Sequence, residues 1–246
     1  TATAPPTERL KPGNDTLAAM LGGGLEFGGS VLISGQSGTG KSTLATMFAR
    51  SAARDGVRAA MFLFEERPEV MRKRSSDLGL GIGPQEGDGT LTIEHFDPAE
   101  ISPGQFSRRV IEQVQLGARL VVIDSLSGYL NAIPEQRNVI THLHALLQYL
   151  ARQQVLTILT LAQHGLLGEP PATEVDASYL ADSIILLRQY EAGTEIRRSI
   201  AVLKKRHSAH ERAVQELVIG AGVVDIRPLD LDSSKRANRA EQLGGP

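Results

Sequence analysis

The run Gly35-Gln36-Ser37-Gly38-Thr39-Gly40-Lys41-Ser42 fits G-x-x-x-x-G-K-[ST] without a gap, the spacing of a loop built to hold phosphate. Glycines let backbone N–H groups turn inward around phosphate oxygens without Cβ clashes, and a following helix adds its N-terminal dipole. In such a loop Lys41 reaches the β- and γ-phosphates and the Ser42 hydroxyl ligates Mg²⁺. Gly35, Ser37, Gly38, Thr39, Gly40, Lys41, Ser42 and Thr43 are therefore the expected binding set for ATP with Mg²⁺. An ordinary Gly-rich turn is the competing reading, but it accounts for neither the Lys-Ser pair nor the strand before and the helix after. Gly22-Gly23-Gly24 lacks the pattern and reads as a turn leading into the first strand.

Hydrolysis needs a metal-side carboxylate and a group that orients or deprotonates water. Leu120-Val121-Val122-Ile123 is an apolar strand with Asp124 at its C-terminal end, where ligands bind in an open parallel sheet. Asp124 is expected to position the metal's water shell beside Ser42. Met61-Phe62-Leu63-Phe64 ends in Glu65-Glu66; neighbours in an extended chain point to opposite sides, so one of the pair faces the γ-phosphate, and the sequence leaves open which. The same two acids precede Pro68, where carboxylates are favoured simply by a helix start. Gln163, after the apolar run Val155–Leu161, either senses the γ-phosphate or faces solvent. His164 has no nameable partner, and His142 and His144 are two apart on a helix, so they cannot share a metal as i,i+4 residues would; no zinc site is expected.

These residues need a scaffold of alternating strands and helices, and the sequence supplies one. Strands are expected at Val31–Ser34, Ala59–Phe64, Leu91–His95, Leu120–Ile123 and Val155–Leu161, with helices over 42–54, 68–78, 105–116 and 138–153 between them. On the last helix Val139, Leu143, Leu146, Leu147 and Leu150 recur on one face. Such β-α-β alternation implies an α/β fold, a mostly parallel sheet covered by helices on both faces. After Pro170 the runs Ser183–Leu187, Ser199–Leu203, Val214–Ile219 and Val223–Ile226 follow one another without helices and are expected as antiparallel strands on one edge. Residues 1–13 read as linker-like, 14–229 as one ATPase-sized domain and 230–246 as a polar tail. Thr1–Pro6 has neither an initiator Met nor a signal-peptide profile, which points to a domain cut from a longer chain.

Composition narrows the function classes. At 246 residues and 41% hydrophobic the chain can bury a core. A net charge of −2 argues against a generally basic nucleic-acid or membrane-surface binder, and 4% aromatics with no Trp leaves few rings for stacking bases. No apolar run approaches the roughly 20 residues of a membrane-spanning helix. The absence of Cys excludes disulfides and thiolate chemistry and suits a reducing compartment, so the cytoplasm is the expected location.

The phosphate loop, Glu65-Glu66, the strand ending at Asp124, the segment Ser178-Tyr179-Leu180-Ala181-Asp182 and Lys204-Lys205-Arg206 together resemble a KaiC domain, a RecA-like P-loop ATPase, over about Leu17 to Pro228. That resemblance implies a homohexameric ring with ATP between subunits, one subunit giving the phosphate loop and the next reaching across with a Lys-x-Arg pair. The pair falls on Lys204 and Arg206, with Ser208 and His210 approaching the nucleotide from the same side. It also implies serine/threonine autokinase activity, with Ser178 at the acceptor position; Tyr179 stands where a second acceptor would be a Thr, so a dual-site cycle does not carry over, nor does a clock role. Lys204-Lys205-Arg206 read without the family is equally a solvated basic turn. Two other functions stay open: a DNA-dependent motor on the same core, which would need basic mobile loops whereas Arg72-Lys73-Arg74 and Arg197-Arg198 fall in a predicted helix and strand, and a nucleotide-gated assembly module in which turnover is incidental.

Overall fold

The computed structural model describes residues 8–97, 99–131, 136–163, 180–205, 211 and 213–229. The chain opens with β1 (Arg9–Leu10), α1 (Asp15–Met20) and β2 (Leu25–Glu26), then β3 (Ser30–Gly35), α2 (Lys41–Arg54) and β4 (Ala59–Leu63). Next come α3 (Pro68–Asp77), α4 (Gly83–Gly87), β5 (Leu91–His95), α5 (Pro103–Gln115), β6 (Leu120–Asp124), α6 (Leu126–Asn131), α7 (Gln136–Arg152) and β7 (Leu156–Ala162). Four strands finish the described fold: β8 (Ser183–Ala192), β9 (Glu195–Lys205), β10 (Gln215–Gly220) and β11 (Val223–Pro228).

A nine-stranded sheet of order β11-β10-β9-β8-β3-β7-β6-β4-β5 forms the middle layer. Pairing from β8 to β5 is parallel, and β8–β9, β9–β10 and β10–β11 are antiparallel. The expected RecA-like layout is therefore present, with one correction. Ser183–Leu187, expected among the antiparallel strands, is antiparallel to β9 on one side but parallel to Val31–Gly35 on the other. Residues 163–182 separate β7 from β8, enough chain for the crossover that a parallel partner requires.

Strand alternation feeds two cores. On one face of β4, Ala59, Met61 and Leu63 meet Leu44, Phe48 and Ala52 of α2; on the other, Ala60 and Phe62 join Phe106 and Val110 of α5 and Tyr129 of α6. Phe106 is fully buried at the centre of an aromatic group, 5.6 Å from Phe62, 5.1 Å from Phe64 and 5.0 Å from Tyr129, centroid to centroid. Leu143, Leu146, Leu147 and Leu150 are buried on α7 as the helical periodicity requires.

The N-terminus also departs from the sequence reading. Arg9–Leu10 pairs antiparallel with Leu25–Glu26 and Leu10 is buried, so the linker-like segment expected to reach residue 13 already contributes to the fold at residue 9. The α1, α4 and α6 helices are too short to show a period and were not expected. Asp182, part of the Tyr-Leu-Ala-Asp segment, accepts hydrogen bonds from the backbone N–H and hydroxyl of Ser30 at 3.0 and 2.9 Å, while its own N–H donates to the Ser30 carbonyl. It thereby fixes β8 against the start of β3, at the end of the sheet away from the phosphate loop.

Candidate active site

The C-terminal ends of β3, β4, β6 and β7 open onto a cleft of about 670 Å³. Its floor is the turn from β3 into α2. Gly40 is the N-cap of α2 with φ +101°, and no side chain caps the helix, so the first-turn N–H groups face the cleft with no intrahelical partner. A Cβ at Gly40 would meet only the far end of the Ile219 side chain, so it is the left-handed φ that calls for Gly here. By contrast α5 has its N-terminus closed by a Ser102–Gln105 capping box. Lys41 donates to the Gln36 carbonyl at 2.8 Å, bending back over the loop; burial pulls its pKa below the ordinary lysine value, against the opposing charges of Asp124 and Glu65. Thr39 is buried and donates to the same carbonyl at 2.8 Å.

At the end of β6, Asp124 is 6% exposed. Its Oδ1 accepts from Ser42 Oγ at 3.0 Å and from Thr160 Oγ1 at 2.6 Å. Burial raises the Asp124 pKa; the two hydroxyls act in the opposite direction. The paired hydroxyl and carboxylate are hard oxygen donors, the set that suits Mg²⁺, which keeps most of its shell in water and phosphate.

Past β4 the two glutamates separate. Glu66 is gripped by Arg74, whose Nε and Nη2 donate to Oε1 and Oε2 at 3.0 and 2.8 Å, while Nη1 donates to Thr43 Oγ1 at 3.0 Å. Glu65 is exposed to the cleft and accepts one bond, from Ser125 Oγ at 2.7 Å. Gly128 of α6 lies under it, where a Cβ would stand 2.9 Å from Glu65 Cγ. Among the described residues, the second oxygen of Glu65 has no protein donor. Leu78, Val70 and Ile219 give the cleft an apolar wall, and Arg198 of β9 enters it, donating from Nε to the Gly38 carbonyl at 3.1 Å.

An uncapped helix N-terminus, a lysine folded over it, a hydroxyl–carboxylate pair and a cleft-facing glutamate form an arrangement with the chemistry to take a triphosphate. A family profile described as "ATPase: KaiC" matches residues 11–230. The chain belongs to the KaiC ATPase family. It is 29% identical over 212 residues to the "Circadian clock protein KaiC3" of Synechocystis sp., covering 86% of this chain and 42% of that one. Against the "Circadian clock oscillator protein KaiC" of Parathermosynechococcus lividus it is 28% identical, over 89% of this chain and 40% of the other. The chain thus spans about two fifths of these curated relatives. A solved KaiC-like protein from the archaeon Pyrococcus horikoshii superposes with a TM-score of 0.80 at 26% identity, covering 91% of this chain and all of that one.

Of the residues expected for a KaiC ATPase, the cleft gathers Ser37, Gly38, Gly40, Lys41, Ser42, Thr43, Glu65, Glu66 and Asp124. Gln163 sits at the rim, its N–H donating to the Gly35 carbonyl at 3.0 Å, while the wall beside it is Ala162. Lys204 is elsewhere: it donates to the Ala181 carbonyl at 2.9 Å and lies opposite Ile184, near the start of β8. Six residues of strand separate it from Arg198, about 20 Å, so it cannot reach the phosphate loop of its own chain. Lys205 points the other way and clamps the Leu21 and Gly24 carbonyls; burial lowers its pKa. Arg206, Ser208, His210 and Ser178 lie outside the described residues.

Sequence reasoning missed Arg74, Arg198, Ser125 and Thr160. Thr160 carried a signal, a polar residue in the apolar run Leu156–Ala162. Arg74 and Arg198 sit in basic runs on a helix and a strand, and nothing local marks them out from their neighbours. Their neighbours are indeed solvated pairs: Arg72 with Glu86, Lys73 with Asp77, Arg197 with Glu195. Among the described residues no helix is long and apolar enough to cross a membrane.

Proposed function

We propose that this chain binds ATP with Mg²⁺ in the cleft, hydrolyses it, and works as a ring of identical subunits with nucleotide between neighbours. The observation that carries the reading is the convergence of the uncapped α2 N-terminus, Lys41, the Ser42–Asp124 pair and Glu65 on one cleft. Ser42 and Asp124 are the residues that would hold Mg²⁺, which when bound neutralises charge on the β- and γ-oxygens. The first-turn N–H groups and Lys41 hold the phosphates. Leu78 and Ile219 offer the apolar wall for the base, with Arg198 beside it. Glu65 is the general base: its free oxygen accepts a proton from water as the water oxygen bonds to the γ-phosphorus and the bond to the β-phosphate bridging oxygen breaks, giving ADP and phosphate. Ser125 holds the other Glu65 oxygen in place.

Charge that develops on the γ-phosphoryl group is met by cations in the cleft, and Lys204 and Arg206 of a neighbouring copy are assigned to add to them, with Ser208 and His210 beside them. Support comes from the strand geometry that keeps Lys204 from its own cleft. Phosphoryl transfer to Ser178 is the secondary activity, and the partner that reads the nucleotide state is a signalling protein. A DNA motor is disfavoured, since it needs basic mobile loops, whereas the basic runs lie on a helix and a strand with their cations paired with carboxylates or turned into the cleft.

The test is phosphate release from ATP with Mg²⁺, together with the mass of the assembly with ATP, ADP and no nucleotide. Turnover that falls about 10²–10⁴-fold in Glu65→Gln supports the base assignment. Unchanged turnover in that variant removes it, and a monomer under ATP removes the ring. An intact mass unshifted after ATP incubation removes the autokinase step.

A further inference from the structure

Arg74 belongs to the exposed run Arg72-Lys73-Arg74, yet its two neighbours pair with carboxylates on the surface and it alone turns into the nucleotide cleft. Three of its five N–H donors are committed, two to the two oxygens of Glu66 and one to Thr43, the residue after Ser42 in the first turn of α2. The planar fork fixes both Glu66 oxygens at once, which a single ammonium cannot do. Glu65, one residue earlier, is treated in the opposite way, with one hydroxyl on one oxygen.

We propose that Arg74 is a positioning residue that withdraws Glu66 from the terminal phosphate and the attacking water, and so divides two adjacent carboxylates between two jobs. Glu66 becomes a neutralised strut between α3 and the phosphate-loop helix, and Glu65 stays free to act. The charge in the cleft explains the need. Its wall carries three carboxylates, Glu65, Glu66 and Asp124, and four cations, Lys41, Arg67, Arg74 and Arg198. A triphosphate adds several negative charges, and an unpaired Glu66 facing it would be a like charge at short range in a partly dry site. Arg74 cancels that charge where it arises, and the bond to Thr43 keeps the guanidinium from swinging away.

This inference rests on the ATPase reading, but its test does not need turnover. ATP and ADP affinities are measured for the unsubstituted protein, Arg74→Ala, Glu66→Gln and the double variant, with KM and kcat alongside. Arg74→Ala is expected to weaken ATP binding about tenfold, and ADP binding less, since ADP lacks the phosphate that Glu66 would repel. Adding Glu66→Gln to Arg74→Ala restores ATP affinity to that of Glu66→Gln alone. A double variant as weak as Arg74→Ala, or an equal loss of ATP and ADP, means Arg74 touches phosphate or merely braces the fold, and overturns the proposal. Arg74→Lys, which keeps the charge and the aliphatic stem, gives the same cycle should the alanine variant not fold; its expected rescue is partial, and a complete one would overturn the need for a fork. Absence of phosphate release by the unsubstituted protein would sink the ATPase reading and leave the binding comparison to decide on Arg74.

Discussion

In the parallel half of the sheet, charged groups stand at strand ends and converge: Asp124 after β6, Glu65 and Glu66 after β4, Lys41 after β3, all on one cleft. In the antiparallel half they are strung along β9 and diverge. Arg198 reaches the cleft, Arg197 pairs with Glu195, Lys204 binds a carbonyl at the far end and Lys205 clamps the turn that follows α1. The apolar residues differ as well. Strands β4 and β6 are buried throughout, whereas Ile196, Leu203, Val214 and Val223 are exposed. A parallel sheet brings every strand's C-terminal end to the same edge, so successive β-α units deliver side chains to one place. Antiparallel strands return along their own length, so the same chain can carry a cation away from the cleft as easily as toward it.

This contrast can be broken most decisively at Arg206. If the antiparallel half serves a neighbour's site, Arg206→Ala lowers kcat about 10³-fold. Mixing that variant with Lys41→Ala then restores phosphate release, because some interfaces combine an intact phosphate loop with an intact Arg206. Two inactive variants that stay inactive when mixed would show that the two halves do not meet between subunits. Lys41→Ala alone should weaken ATP binding about 10–100-fold, the range of a hydrogen bond to a charged group, and measuring it by titration shows whether the parallel half binds nucleotide unaided. Phe106→Ala examines the scaffold under that half: loss of the central ring should cost about 3–5 kcal/mol by denaturant unfolding. Smallest is Ser102→Ala, which opens the α5 capping box for about 1 kcal/mol of stability and leaves ATP affinity unchanged. A loss of ATP binding there would mean the α5 end is coupled to the cleft, which its closed cap argues against.

Much of the parallel half was legible in the sequence because its signals are local. Val31–Ser34 followed by the glycine loop, and the apolar run ending at Asp124, each place a functional residue at a strand end without knowledge of the neighbours. The direction of Ser183–Leu187 was not legible, since parallel or antiparallel pairing depends on which strand lies beside it, and β3 is about 150 residues earlier in the chain. Nor was the difference between Glu65 and Glu66. Two adjacent identical residues have the same local signal, and only the approach of Arg74 from one side and Ser125 from the other tells them apart.

The sequence by itself determined that this chain carries a loop shaped for phosphate, and where, since the order of Gly, Lys and Ser is set by backbone geometry within one loop. It determined the strand ends that face that loop, and the family resemblance. Tertiary structure decided which carboxylate is free, which arginines of the basic runs enter the cleft, and that Lys204 stands at the opposite end of its strand from the loop. Each of these depends on a distance between residues remote in sequence. A hydrogen bond or an ion pair is won or lost within about one ångström, a precision that local pattern does not carry and packing does.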